Sequence, residues 1–339
     1  MNFIALLITV VSAFLITSVI GIWLIPFLHR LRYGQTILDI GPAWHKNKQG
    51  TPTMGGFMFI IGMILAIGAG WFAMTSFSAG QTAEVPVTTI PENFYLIAGV
   101  LMSLGFAAVG FVDDYIKVVK KRNLGLKEVP KALAQFLVAV LYLVAEHIFA
   151  PTTTVWIPFM GEYDFGFFYY IFMLIVIIGA VNSVNLSDGI DGLCSSVTMT
   201  AAAGLMIITG ILKMGGMNIM SAALAGGCLG FLVWNFHPAK VFMGDTGSMF
   251  LGGMVTAIAF GIRMPVILLF VGIIYVIEAL SDFIQVGSIK FRGKKVFKMA
   301  PIHHHFEMCG WSEVKIVGVF TAVTAVGCLI AIAAVLAVL

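Results

Sequence analysis

The sequence predicts an all-α polytopic membrane protein with ten transmembrane helices. The 339-residue chain is 60% hydrophobic and only 10% charged, whereas water-soluble domains contain about 25% charged residues. Apolar segments of about 20 residues, long enough to cross a bilayer, also recur along the whole chain. These two observations exclude a soluble protein. We therefore treat residues 1–339 as a single integral membrane domain.

Ten apolar segments form the predicted spans. The first has no basic residue ahead of it and no small-residue cleavage pattern, so we expect a retained helix rather than a signal peptide. The approximate bounds of the ten segments are 3–28, 55–75, 94–112, 130–149, 167–181, 195–212, 217–234, 248–262, 264–285 and 314–338.

The connections between these spans alternate in charge, which sets the orientation. Loops 76–93 and 150–166 contain acidic residues and no basic ones. Excess Lys and Arg marks the cytoplasmic side of a membrane protein. The basic loops are therefore expected inside and both termini outside, in a multi-pass protein of the cytoplasmic membrane. Seventeen of the 19 Lys and Arg residues lie in loops 29–54, 113–131, 235–247 and 286–315.

Three polar stretches interrupt this apolar chain, all on the predicted cytoplasmic side: 111–115, 182–193 and 241–247. A charge in hydrocarbon costs at least about 2.5 kcal/mol, so carboxylates at helix ends need a reason. One reason is helix capping, since Asp188 and Asp191 precede a predicted helix. The alternative is a shared ligand, because the stretches are rich in Gly, which lets backbone approach a ligand closely.

Asp113, Asp114 and Asp245 are the candidate metal ligands. Adjacent carboxylates repel each other, and a divalent cation or nearby lysines relieve that repulsion. Mg²⁺ is typically held by one or two carboxylates and by phosphate oxygens of the substrate. Asp245 lies in a Gly-rich turn that can aim one carboxylate at a metal. A solvated acidic corner beside lysines is the alternative.

The consecutive residues His303, His304 and His305 follow several lysines. Three neighbouring side chains cannot all point one way in regular structure, so at most two face one site. An anion-attracting loop favours phosphate binding by these imidazoles. A zinc site lacks the accompanying Cys–His spacing, and a solvated surface loop is the other alternative.

Two further features are weaker candidates. Lys48 precedes a Gly-containing turn into the second span, where free backbone N–H groups could bind an anion, although the spacing is not that of a Walker loop. Glu278 and Asp282 lie four residues apart, and so on one face of a predicted span. They are secondary candidates for a cavity or a proton path.

Five sequence motifs occur along the chain: GTPTMGG (50–56), FVDDYIK (111–117), NSVNLSDGIDGL (182–193), NFHPAKVFMGDTGS (235–248) and PIHHHFE (301–307). Together, and in this order, they resemble the motifs of the MraY family. The members of that family are the bacterial phospho-N-acetylmuramoyl-pentapeptide transferases of the polyprenyl-phosphate N-acetylhexosamine-1-phosphate transferase superfamily. The resemblance runs the full length of the chain, and TPTMGG and HHHFE favour this branch over the N-acetylglucosamine-1-phosphate transferases.

The resemblance implies a reaction of peptidoglycan synthesis. Phospho-N-acetylmuramoyl-pentapeptide would pass from its UDP conjugate to undecaprenyl phosphate, giving lipid I and UMP, with Mg²⁺ as cofactor. The active site would lie at the cytoplasmic helix ends and loops. A homodimer in the membrane lipid is also implied, and no nucleic-acid partner is expected.

The resemblance also implies residue roles. Asp245 would be the main metal ligand, and Asp113 and Asp114 would serve the metal, the lipid phosphate or general-base catalysis. His303 is expected both among the catalytic residues and, with His304, on the phosphate and sugar side of the substrate. The remaining substrate-binding residues would be Lys48, Asp191, Asn235 and Phe242 around the uridine, with Phe242 stacking on uracil, Asn185 and Asp188 on the ribose and diphosphate side, and Thr51, Lys117, Gly244 and His305.

Two mechanisms and three rival functions stay open at this point. Asp113 could deprotonate the lipid phosphate for direct attack on the β-phosphorus, which we favour, or an aspartate could first form a covalent intermediate. The first rival function is transfer of N-acetylglucosamine-1-phosphate to the same lipid. The others are a cation-coupled transporter using Glu278 and Asp282, and a scaffold without chemistry, which would leave the one-sided carboxylates unexplained.

Overall fold

A computed structural model of the chain describes residues 3–31, 48, 50–78, 90–120 and 125–337. Much of the predicted loops 29–54 and 76–93 lies outside these residues. The described helices are α1 (Phe3–Arg30), α2 (Gly56–Ser78), α3 (Ile90–Val119), α4 (Glu128–Phe149), α5 (Phe168–Leu186), α6 (Leu193–Ile211), α7 (Gly215–Asn235), α8 (Gly244–Gly261), α9 (Leu268–Val271), α10 (Ile273–Arg292), α11 (Ile302–Met308) and α12 (Glu313–Leu336).

The helices establish a polytopic membrane protein. In the described ranges, eight helices are long and apolar enough to cross a membrane, and a ninth span results if a bent pair is counted as one. That pair, residues 265–271 and 273–292, is bent by 86° at Gly272. It corresponds to the predicted span 264–285. The predicted ten spans and the outward termini stay predictions.

Helix α8 is the predicted span that does not meet this apolar standard. Its first turn is polar, with Asp245 close to its start, and every residue from Thr246 to Gly261 is buried. A helix surrounded by other helices need not be as apolar as one that faces lipid, because protein covers it on every side. Its modest hydropathy therefore reflects its central position.

A β-hairpin was not predicted. The acidic loop 150–166 contains an antiparallel hairpin of β1 (Thr154–Ile157) and β2 (Gly161–Asp164), in which Thr154 pairs with Asp164. A hairpin of four-residue strands is marginal alone. Here the backbone N–H of Trp156 donates to the carbonyl of Arg263 at 3.2 Å, which ties the hairpin to the end of α8.

Small residues bring α3 and α8 together. A Cβ on Gly110 of α3 would clash with the backbone of Asp245, and a Cβ on Gly253 of α8 would lie 2.7 Å from the Cα of Ser103. Helices in membranes associate closely where such small residues face each other. This close crossing sets the carboxyl end of α3 against the amino end of α8, and so positions the candidate site.

Candidate active site

Three carboxylates from two helices meet at one end of the bundle. Asp113 and Asp114 lie near the end of α3, and Asp245 is in the first turn of α8. One oxygen from each lies within 4.8 Å of the others. Hard divalent cations prefer carboxylate oxygens, so the donor set and its spacing fit Mg²⁺. The structure thus brings the three predicted ligands together, although their role as ligands stays a prediction.

Two lysines compensate the charge of this cluster. Lys117 Nζ lies 2.6 Å from Asp113 Oδ2 and 3.3 Å from Asp245 Oδ2. Lys131 Nζ lies 2.5 Å from the same oxygen of Asp245 and 3.8 Å from Asp113 Oδ1. Lysines within reach of acidic ligands are also within reach of phosphates that those ligands attract. The cluster can therefore receive a cation together with an anionic substrate.

Asp114 also has a structural role. Its carboxylate accepts hydrogen bonds from the backbone N of Asp245 (3.1 Å) and from the backbone N and hydroxyl of Thr246 (2.9 and 2.7 Å). These are N–H groups that a helix amino end leaves unsatisfied. Asp114 thus caps α8 from a neighbouring helix and fixes the direction in which Asp245 leaves the turn.

Asn185 and Asp188 lie beside the acidic cluster, at the end of α5. Asn185 Nδ2 donates to Asp245 Oδ1 at 3.2 Å and to Ser248 Oγ at 2.7 Å. Burial, with the nearby charges of Asp245, Asp114 and Asp191, raises the pKa of Asp188 to about 8. Asp188 and Asp191 do not cap α6, since its N-cap is Gly192 without a side-chain cap. The capping alternative is therefore wrong for these two acids.

A second cluster surrounds Lys48. Its Nζ lies 2.7 Å from Asp191 Oδ1 and 2.6 Å from Glu313 Oε2. The other oxygen of Asp191 accepts from the backbone N of Ala239 at 3.0 Å and lies 3.0 Å from Nδ1 of His237. Asp191, His237 and Glu313 are close enough to share a metal, but the Lys48 ammonium already bridges both acids.

The other residues predicted to contact the nucleoside are Asn235 and Phe242. Asn235 is buried, and its Oδ1 accepts from the backbone N of Gly192 and from Ser195 Oγ, both at 3.2 Å, while Nδ2 donates to the carbonyl of Val241 at 2.9 Å. It holds the start of α6 to the segment before α8. Phe242 is half-buried, and its N–H donates to the carbonyl of Pro52. The N–H of Thr51, another predicted residue, donates to the carbonyl of Lys48. Gly244 is the first residue of α8 and directly precedes Asp245.

The three consecutive histidines have different hydrogen-bond partners. His303 is 1% exposed, and the other two are half-buried. In two of the three side chains, Nδ1 lies within hydrogen-bonding distance of a carboxylate. The contacts of the three Nδ1 atoms are Glu278 Oε2 at 3.0 Å for His303, Glu307 Oε2 at 2.7 Å for His304, and the backbone N–H of Lys298 at 3.1 Å for His305.

Sequence reasoning missed Lys131, His237 and Glu313. Lys131 was one of six basic residues in a single stretch, with nothing to distinguish it from its neighbours. His237 lies inside a motif that carried the family resemblance, and this was an available signal. Glu313 is 122 positions from Asp191, whose backbone N donates to it at 2.9 Å, and no local pattern reports such a contact.

Lys131→Met is expected to lower the turnover of the reaction proposed below by about 10²-fold, the usual scale for removing one charge-stabilising donor. The ammonium contacts Asp245 directly, so its loss removes both a phosphate-facing charge and a partner that orients this acid. Lys127→Met is the matched control, since Lys127 is exposed just before α4. Equal turnover in the two variants would remove Lys131 from the site.

Known proteins similar in sequence cover nearly the whole chain. Residues 96–263, which include all three acids of the first cluster, match the family described as Glycosyl transferase family 4. With its polytopic helical fold, this defines the chain as a membrane-embedded transferase. Curated phospho-N-acetylmuramoyl-pentapeptide-transferases are similar over most of their length. Examples come from Acetivibrio thermocellus (44% identity, 94% of this chain and 92% of the relative), Bacillus subtilis (42%, 94% and 94%) and Desulforamulus reducens (46%, 90% and 88%).

At this identity and coverage, the chain belongs to the phospho-N-acetylmuramoyl-pentapeptide-transferase family. The resemblance seen in the five sequence motifs is thereby confirmed.

Proposed function

We propose that the chain transfers phospho-N-acetylmuramoyl-pentapeptide from its UDP conjugate to undecaprenyl phosphate, releasing UMP and forming lipid I for peptidoglycan synthesis. The observation that carries this proposal is the meeting of Asp113, Asp114 and Asp245 with two lysines at helix ends. Phosphoryl transfer depends mainly on placing the reactants in line and neutralising their charge. A cluster of hard-cation ligands and ammonium groups beside the bilayer supplies both.

Asp245, Asp113 and Asp114 would hold Mg²⁺. When bound, this ion would shield the diphosphate and stabilise UMP as a leaving group. Lys117 and Lys131 would turn from the acids toward phosphate oxygens. Asp113 would accept a proton from the lipid phosphate, whose oxygen attacks the β-phosphorus as the bond to UMP breaks. A phosphate monoester has a second pKa near about 6, so this proton transfer assists the attack without being indispensable.

The nucleoside would lie toward the cluster of Lys48, Asp191 and Glu313. The family resemblance assigns Lys48 and Asp191 to the uridine, and half-buried Phe242 offers a ring for stacking on uracil. Asn185, which donates to Asp245, and Asp188 would lie on the ribose and diphosphate side. His303 and His304, on the short helix α11, would lie on the phosphate and sugar side of the substrate.

The membrane arrangement is part of the same proposal. Counting α8 and the bent pair as spans, together with the eight apolar helices, makes ten. With ten spans and basic loops inside, both termini lie outside and the site faces the cytoplasm. A homodimer is proposed on the family resemblance alone.

The direct test measures UMP release by the purified protein in lipid nanodiscs. Release is expected only when undecaprenyl phosphate and UDP-N-acetylmuramoyl-pentapeptide are both present. Chelation by EDTA should abolish UMP release, because the diphosphate then loses the ion that shields its charge. Added Mg²⁺ should restore UMP release. UDP-N-acetylglucosamine should neither replace nor compete with the donor. Turnover of that sugar instead would favour the sister reaction, and activity in EDTA would remove the metal from the proposal.

A further inference from the structure

A buried acid–histidine pair connects α10 to α11. Glu278 is 0% exposed and His303 is 1% exposed, and Oε2 of Glu278 lies 3.0 Å from Nδ1 of His303. The other oxygen of Glu278, Oε1, is buried without a partner among the described residues, so the contact with His303 is the one hydrogen bond of this carboxylate seen there. A carboxylate can only accept hydrogen bonds, so Nδ1 of the histidine must carry the proton.

This hydrogen bond determines what the other ring nitrogen can do. With the proton on Nδ1, a neutral imidazole presents Nε2 as an acceptor. Nε2 of His303 is buried, and among the residues that the structure describes it has no hydrogen-bond partner. An unpaired buried polar atom is costly in a folded protein, and it points to a functional role or to a ligand.

The unpaired nitrogen abuts the turn that carries the diphosphate-side residues. A Cβ on Gly189 would clash with Nε2 of His303, so the imidazole packs directly on this glycine. Gly189 follows Asp188 and is two residues before Asp191. The imidazole therefore packs against the 188–191 turn, whose acids Asp188 and Asp191 are predicted to contact the UDP conjugate.

We propose that Glu278 is a positioning residue of the transferase. It holds His303 in the Nδ1–H tautomer, with the ring against Gly189, so that Nε2 serves as the hydrogen-bond acceptor at the 188–191 turn. The carboxylate acts only through the imidazole and touches no substrate. This inference rests on the proposed function, and it assigns Glu278 to the reaction rather than to ion transport.

Glu278→Gln tests the proposal, because the amide can donate to Nδ1 and thereby move the ring proton to Nε2. We expect kcat for UMP release to fall about 10–100-fold, the usual effect of removing a residue that orients a functional histidine. KM for both substrates should change less than about 3-fold. Glu278→Asp, which keeps the carboxylate, should recover part of the loss.

Asp282→Asn is the matched control, since Asp282 lies one turn further along α10 and is only partly buried. It should retain wild-type kcat. In a His303→Asn background, Glu278→Gln should cause no further loss, because the two residues act as a unit. Thermal unfolding of each variant separates a loss of fold from a loss of rate. Wild-type kcat in a folded Glu278→Gln protein, or additive losses in the double variant, would overturn the proposal.

A direct readout separates this inference from the proposed function. In protein labelled with ¹⁵N-histidine, the His303 signal, assigned by its absence in His303→Asn, should show a protonated Nδ1 in the wild type and a protonated Nε2 in Glu278→Gln. A wild-type protein with the expected tautomer but no UMP release would reject the proposed function alone. An Nε2–H tautomer in the wild type would reject the positioning role.

Discussion

Asp245→Asn is expected to lower the rate of UMP release by at least about 10³-fold, or about 4 kcal/mol of transition-state stabilisation. The carboxylate is the point where Lys117, Lys131 and Asn185 converge, and it completes the three-acid cluster. An amide keeps the shape of the side chain but removes its charge. It therefore loses the attraction for a cation and for both ammonium groups.

The controls for this variant separate charge from folding. Asp245→Glu retains the charge and should keep a measurable part of the activity. Asp164→Asn changes an exposed carboxylate in the hairpin, remote from the cluster, and should leave the rate unchanged. Thermal unfolding should show that Asp245→Asn remains folded. Full activity in that variant would overturn the metal assignment.

Gly244→Ala is expected to lower kcat about 10²-fold. Gly244 has φ of +72°, and an added Cβ would lie 2.5 Å from Asp114 Oδ2. Either the Asp114 carboxylate or the first turn of α8 must shift to relieve this contact, and because Asp114 accepts from the backbone of Asp245 and Thr246, either shift disturbs the position of Asp245. Displacing a catalytic group by about 1 Å costs on the order of 10²-fold in rate.

Gly293→Ala provides the comparison. Gly293 has φ of +65° but no atoms within 4 Å of an added Cβ. Both variants therefore carry the same backbone cost of about 1–2 kcal/mol for a left-handed residue, and both should lower thermal stability. Only Gly244→Ala should also lower kcat. Equal kcat in the two variants would show that crowding against Asp114 has no bearing on the site.

The sequence was informative about which end of the helix bundle a residue occupies. The apolar segments locate the spans, and the charge of each loop indicates which helix ends share a side. Asp113, Asp114 and Asp245 could therefore be assigned to the same end of the bundle before their contacts were known. Motif resemblance then added roles for Asn185, Asp188 and the histidines. Their placement at one end of the bundle follows from the alternation of spans.

What the sequence left open is which neighbours meet within the plane of that face. Contacts such as Lys131 with Asp245, or Glu313 with Lys48, depend on how helices cross. Crossing is governed by close approaches such as that of Gly110 to α8, which apolar patterning does not encode. The same limit applies to α8, whose polar start and buried position only make sense once its neighbours are known.

Glu313 has a consequence for synthesis of the protein. It opens the helix that follows every other site element in the chain, yet it bonds both Lys48 and the backbone of Asp191. A nascent polypeptide still emerging from the ribosome therefore lacks one acid of the Lys48 cluster until α12 has been translated and inserted. This cluster is completed only at that point, however early the acids of α3 and α8 have met.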